Sequence, residues 1–164
     1  MVLSVVITLL AVIVLAVIIN GVEDVNRYDK MSFREAMDLT DLPIVTFYQG
    51  EERFNFLLDT GSTYSHISSS AAQRLKGEEK ELVVSVIAVG GSRGSTSTLA
   101  TQLVYKNKPY NVILCAGEHM DDAFEAVKKE NGVQIHGIIG NDFLSQHNYI
   151  IDFEELVAYS KGKK

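Results

Sequence analysis

Seventeen of the first twenty residues are apolar and none carries a charge, so the chain has to place one continuous hydrophobic segment before anything else can fold. Val2–Ile19 is interrupted only by Ser4 and Thr8, whose hydroxyls can bond back to carbonyls of their own helix. At about 1.5 Å per residue, a helix over this stretch is roughly 27 Å long, close to the hydrocarbon thickness of a bilayer. A cleavable signal peptide would begin with basic residues and end on small ones. Here no Lys or Arg precedes the run, and the exit reads Val17-Ile18-Ile19-Asn20-Gly21. A core helix that is apolar on every face would need a larger domain around it. Residues 1–20 therefore read as an uncleaved transmembrane anchor, making the protein a single-pass membrane protein. Arg27, Lys30 and Arg34 follow the span, which weakly favours a cytoplasmic domain but leaves the side of the membrane open.

The remainder is the size of one domain. The whole chain has a net charge of −6 with its basic residues scattered, which gives no electrostatic footprint for nucleic acid. A single cysteine, Cys115, excludes an internal disulfide framework. With only four scattered histidines it also excludes the usual thiolate zinc sites, so no metal site and no cofactor is expected.

Residues 21–42 are charged and sparsely apolar and read as a juxtamembrane connector, with a short helix around Phe33–Leu39. From Pro43 the texture changes to short β-type runs bounded by turn residues. Pro43–Tyr48 and Arg53–Leu58 form a hairpin through Gln49–Glu52. Ser68–Leu75 is a short helix, and Leu82–Val89, Thr96–Lys106 and Tyr110–Cys115 are strands. Met120–Glu130 has helical spacing, acidic residues in its first turn and Gly132 at its end. Val133–Ile139 is a strand, Asn141–Gln146 a short helix and Tyr149–Tyr159 a closing hairpin through Glu154-Glu155. A domain over 43–159 is thus mainly β with short helices, followed by a basic tail at 160–164.

Phe56-Leu57-Leu58-Asp59-Thr60-Gly61-Ser62 carries the chemistry. A carboxylate placed directly after a buried apolar run is costly, because its charged form is desolvated. On its own, Asp-Thr-Gly is also an ordinary turn sequence. Two further segments give it company: a glycine-rich hairpin tip, Val89-Gly90-Gly91-Ser92-Arg93-Gly94, and an apolar strand, glycine turn and helix in Ile138-Ile139-Gly140-Asn141-Asp142-Phe143-Leu144. Taken together and in this order, the three segments resemble the retropepsin-like aspartic peptidases, the single-domain retroviral-type proteases. Gly137–Phe153 looks like the cellular and transposon-derived branch. The likeness covers about Leu42–Tyr159.

The resemblance implies a fold and a mechanism. The fold would be a retropepsin-like closed β-barrel, one half of an acid protease, acting as a homodimer on a polypeptide substrate. Two carboxylates sharing a proton would activate water, one as base and the other polarising the scissile carbonyl. With one Asp-Thr-Gly in a chain too short for two lobes, the second Asp59 would come from another copy. Asp59 would be the catalytic residue. Thr60 would lock the two loops across the dimer, Gly61 would leave room for water, and Ser62 would donate to the outer carboxylate oxygen. Val89, Gly90, Gly91, Ser92 and Gly94 would form a flap over the substrate. Ile138, Ile139 and Gly140 would support the Asp59 loop from beneath.

Two features depart from the family. Asn141 stands where retroviral members usually carry Arg, so the usual supporting salt bridge is missing, and residues 117–132 look like an inserted helix. The plainer residues are read plainly. His66, His119, His136 and His147 are non-catalytic, Asp142 is a first-turn helix charge, Asp152 a strand-end or turn carboxylate, and Asp121-Asp122 a solvated helix start. The other functional readings are a non-catalytic dimerisation or peptide-binding module on the same fold, and an unrelated membrane-anchored β-barrel that binds a ligand.

Overall fold

In the first hairpin, apolar residues recur at every second position, as a half-buried strand requires. The computed structural model describes residues 28–87, 93–117 and 120–161. In it, β2 (Ile44–Gln49) and β3 (Glu52–Leu58) pair antiparallel. Val45, Phe47, Phe54, Phe56 and Leu58 point into the core. The turn between the strands uses Gly50 in the left-handed region, φ 60°.

The remaining elements are β1 (Tyr28–Ser32), α1 (Arg34–Thr40), β4 (His66–Ile67), α2 (Ser69–Ala72), β5 (Gly77–Ile87), β6 (Arg93–Tyr105), β7 (Lys108–Ala116), α3 (Asp121–Asn131), β8 (Gly137–Ile139), α4 (Asn141–Gln146), β9 (Tyr149–Asp152) and β10 (Val157–Lys161). The larger sheet runs β2-β3-β8-β4-β7-β6-β5, and a further pairing of β2 with β6 at Tyr48 and Val104 closes six of these strands into a barrel. The chain is therefore mainly β, with a few short helices. A second, three-stranded sheet has the order β1-β10-β9.

Aromatic rings fill the barrel. Phe47 meets Phe56, Tyr110 and Phe143 edge-on, with centroids 5.8, 6.0 and 6.2 Å apart, a geometry in which the positive edge of one ring faces the negative face of another. A smaller cluster of Ile44, Phe124, Ile135 and Ile138 packs α3 against the barrel. Helix α3 ends as its sequence predicts, with Gly132 at φ 72° and its N–H donating to Lys128 O at 2.8 Å.

The structure differs from the sequence reading in several places. Strand β5 begins at Gly77, ahead of the expected Leu82, and β10 runs on to Lys161, into the segment read as a tail. Part of the segment read as a connector belongs to the folded domain: beside the expected short helix, here α1, β1 pairs with β10 from Tyr28↔Lys161 to Ser32↔Val157, and Met31 and Phe33 are buried in the main core. Of the expected strand Val133–Ile139, only Gly137–Ile139 joins the sheet. Before it, the backbone is held by side connections instead of a ladder: His136 N–H donates to Asn55 O, and the Asn55 amide donates to Gln134 O. The two-residue strand β4 was not anticipated.

Among the described residues no helix is long and apolar enough to cross a membrane. The expected span Val2–Ile19 lies outside them, as do the hairpin tip Val89–Ser92, His119 and residues 162–164 of the tail.

Candidate active site

Strand β3 delivers Asp59 to the edge of the core. Leu57 and Leu58 pair in parallel with Ile138 and Ile139 of β8. The ladder continues one residue further, with Asp59 N–H donating to Ile139 O at 3.0 Å. The chain then turns sharply. Gly61 N–H donates to Asp59 Oδ1 at 2.8 Å, and Ser62 N–H donates to Asp59 O at 3.2 Å. A Cβ on Gly61 would sit 3.1 Å from Asp59 Oδ1, so glycine lets the amide approach the carboxylate without crowding it. Asp59 is partly exposed, and Thr60 and Gly61 are exposed.

Helix α4 holds this loop from beneath. Its first amides, which have no partner within the helix, donate to loop carbonyls: Asn141 N–H to Ser62 O at 2.8 Å and Asp142 N–H to Thr63 O at 3.1 Å. The Asn141 side chain adds a third bond, Nδ2 donating to Thr60 O at 2.6 Å. This neutral contact comes from the residue at which the sequence departs from the pattern it resembles. Asp142 is a first-turn residue of α4, and its carboxylate also accepts from Ser65 N–H at 3.0 Å and Ser65 Oγ at 2.7 Å. Ser65 Oγ in turn accepts from Gly140 N–H at 3.0 Å. No side chain fits at Gly140, because a Cβ there would lie 2.5 Å from Tyr64 O and 2.7 Å from Tyr64 C.

The structure thus brings Asp59, Thr60, Gly61 and Ser62 together with Ile138, Ile139 and Gly140. The Ser62 hydroxyl does not reach Asp59 as expected; it donates to Tyr64 O at 2.7 Å, because the loop folds that carbonyl back over it. Of the flap residues, Gly94 lies in β6 opposite Val86 of β5, and Ile87 pairs with Arg93 as the two strands approach the tip. Val89, Gly90, Gly91 and Ser92 lie outside the described residues. A depression of about 550 Å³ adjoins the loop, lined in part by Leu58, Thr60, Asn141, Tyr149 and Phe153.

The described histidines lie away from this loop or are held in structural roles. His66 is buried in β4, opposite Ile138. His136 Nδ1 accepts from Asn55 N–H at 2.9 Å, and burial, reinforced by Arg74 and Arg53, pushes its pKa down to about 4. His147 packs among the rings of Tyr110, Phe143 and Tyr149, and burial lowers its pKa. Burial raises the Cys115 thiol to about 11, with Asp142 adding to the effect. Asp152 accepts from Glu154 and Glu155 N–H, and Asp121 from Ser69 N–H. Among the described residues no group of three His, Cys, Asp or Glu is arranged to hold a metal ion.

One cluster escaped the sequence reading. Asp29 Oδ2 on β1 accepts from Tyr110 OH at 2.6 Å, from Tyr149 OH at 2.8 Å and from Lys108 Nζ. Burial opposes the charge on Asp29, yet these donors together hold its carboxyl below the usual range. Burial and the bond to Asp29 push the Tyr110 hydroxyl well above its ordinary value. The four residues come from β1, β7 and β9, and no local spacing connects them.

A sequence profile of the aspartyl protease family matches residues 45–143. Among solved structures, the fold is similar to the EIAV protease complexed with the inhibitor HBY-793, at 20% identity and a TM-score of 0.47, covering 64% of this chain and 86% of that one. It is also similar to the retroviral protease-like domain of Ddi1 from Leishmania major, at 15% identity and a TM-score of 0.47, covering 74% of this chain and 90% of that one. No curated protein matches the chain.

Proposed function

The chain belongs to the aspartyl protease family, and from that premise we propose that it is a membrane-anchored aspartic endopeptidase whose active site forms between two copies. The observation that carries the reading is Asp59 itself, a carboxylate set at the end of a buried strand and oriented by the Gly61 amide at 2.8 Å. In this reading Oδ1 is fixed by that amide and Oδ2 faces a water held between two Asp59 side chains. One carboxylate takes the proton of the water as it attacks the peptide carbonyl; the other, protonated, hydrogen-bonds the carbonyl oxygen. The proton then passes to the leaving amine.

The count of one Asp-Thr-Gly supports the dimer. So do exposed Thr60 and exposed Phe153 beside the depression next to it. Val2–Ile19 would hold both copies in one bilayer and raise their effective concentration. The hairpin of β5 and β6 would act as the flap, closing on a polypeptide bound in extended form.

The test is cleavage of a mixed peptide library by the full chain in lipid, with and without a pepstatin-type transition-state mimic, alongside Asp59→Asn. The wild type cleaves and is blocked by the mimic, while Asp59→Asn is inactive but folded. Equal cleavage by purified Asp59→Asn overturns the assignment. A fragment for the same assay has to begin before Tyr28, since β1 belongs to the folded domain.

A further inference from the structure

Two hydrogen bonds at the active loop share one peptide unit. Asn141 Nδ2 donates to Thr60 O at 2.6 Å, and the N–H of the same peptide, that of Gly61, donates to Asp59 Oδ1 at 2.8 Å. A donor on the carbonyl polarises the amide and strengthens its N–H as a donor in turn. We infer that Asn141 is a positioning residue that fixes and strengthens the Gly61 amide on Asp59 through the Thr60–Gly61 peptide. The inference rests on the peptidase reading above for its effect on catalysis, but the relay itself is a matter of loop geometry.

The surroundings favour a directed role over simple space-filling. Asn141 is exposed, so its side chain is not held by packing. Its backbone is nevertheless fixed at the start of α4 by the bond from its own N–H to Ser62 O. The amide nitrogen therefore starts from a rigid base and reaches the one loop carbonyl whose peptide contacts the carboxylate. Only a donor can make this bond. An aspartate in the same place has nearly the same shape but would set a carboxylate oxygen against Thr60 O.

This makes the roles of shape and donor separable. If the side chain only fills space, Asn141→Asp is milder than Asn141→Ala. If the donor matters, the order reverses for catalysis. An acidic residue suits the first turn of a helix, which offsets the repulsion at Thr60 O, and urea midpoints of the two variants separate a loss of catalysis from a loss of fold.

The experiment uses the full chain in detergent micelles, as wild type, Asn141→Ala and Asn141→Asp. The first readout is the Gly61 amide proton by NMR, with the Ser62 amide, bonded to the Asp59 backbone carbonyl, as internal control. Gly61 moves upfield in Ala and further in Asp, with a steeper temperature coefficient, while Ser62 holds. The second readout is peptide cleavage. The kcat falls roughly tenfold in Ala and about a hundredfold in Asp, the scale of a small misplacement at a reacting group, with KM unchanged. A Gly61 resonance unmoved in both variants overturns the relay, as does an Asp variant that cleaves as fast as Ala. A wild type that cleaves nothing refutes the peptidase reading, and the Gly61 resonance still decides the relay.

Discussion

Replacing Gly140 by alanine places a methyl group where the structure has no room for one. The new Cβ would lie 2.5 Å from Tyr64 O, 2.7 Å from Tyr64 C and 2.9 Å from Ser62 O, all backbone atoms that cannot rotate away. Comfortable contacts begin near about 3.5 Å, so the 62–64 stretch has to move by roughly 1 Å. Overpacking of this kind typically costs about 1–3 kcal/mol. The displaced segment is the one that accepts the first amides of α4 and continues directly from Asp59, and a shift of that size at a reacting group can cost about a hundredfold in rate. The assay is urea denaturation of the full chain in micelles together with peptide cleavage, with Gly50→Ala as reference. Gly50 has open space around it and φ 60°, so its alanine variant loses only backbone conformational energy, about 1–2 kcal/mol. The two variants are expected to lose similar stability, but only Gly140→Ala to lose activity. Full activity in Gly140→Ala would refute the claim that Gly140 seats the Asp59 loop.

Two further outcomes are expected. His136 is held neutral when folded, with a pKa near 4 against 6.5 for the free side chain; the unfolded chain takes up more protons between these values, so His136 contributes stability that is complete above about pH 6.5 and is lost as pH falls toward 4. Urea midpoints at pH 7, 5.5 and 4 should fall more steeply in wild type than in His136→Gln, and parallel slopes would refute it. Asp29→Ala leaves the Tyr110 and Tyr149 hydroxyls and Lys108 without their shared acceptor, costing about 1–3 kcal/mol in the same denaturation assay, whereas a loss within error would show that the cluster does not hold β1.

The parts of the fold legible in the sequence were those whose signals are local. The β2–β3 hairpin alternates apolar residues around a glycine turn, α3 has helical spacing and a glycine stop, and α4 follows its glycine at the expected residue, Asn141. Strand β1 was hidden because its sequence, YDKMS, has one strongly apolar residue, Met31, and its place is set by pairing with β10 more than a hundred residues away. Strand β4 is two residues long and is defined only by its neighbours β7 and β8. At the site, Asp-Thr-Gly and Ile-Ile-Gly were readable as motifs, but their junction was not. That Asn141 would reach Thr60, that Asp142 would clamp Ser65, and that the Ser62 hydroxyl would turn to Tyr64 depend on how α4 docks under the loop. The Asp29 cluster joins three strands distant in sequence, so no motif could announce it.

In the proposed enzyme two chains each contribute one Asp59 to a single site, and subunit mixing separates this from a site held within one chain. Differently tagged wild type and Asp59→Asn are combined in detergent at fixed wild-type concentration, exchange is verified by co-capture of the tags, and peptide cleavage is followed as the mutant is added. Random pairing predicts that cleavage falls to about half when mutant equals wild type, and keeps falling with excess, because every mixed pair lacks one carboxylate. Cleavage that stays constant while the tags show mixed pairs would mean that one chain holds the whole catalytic apparatus and that no site is shared between copies.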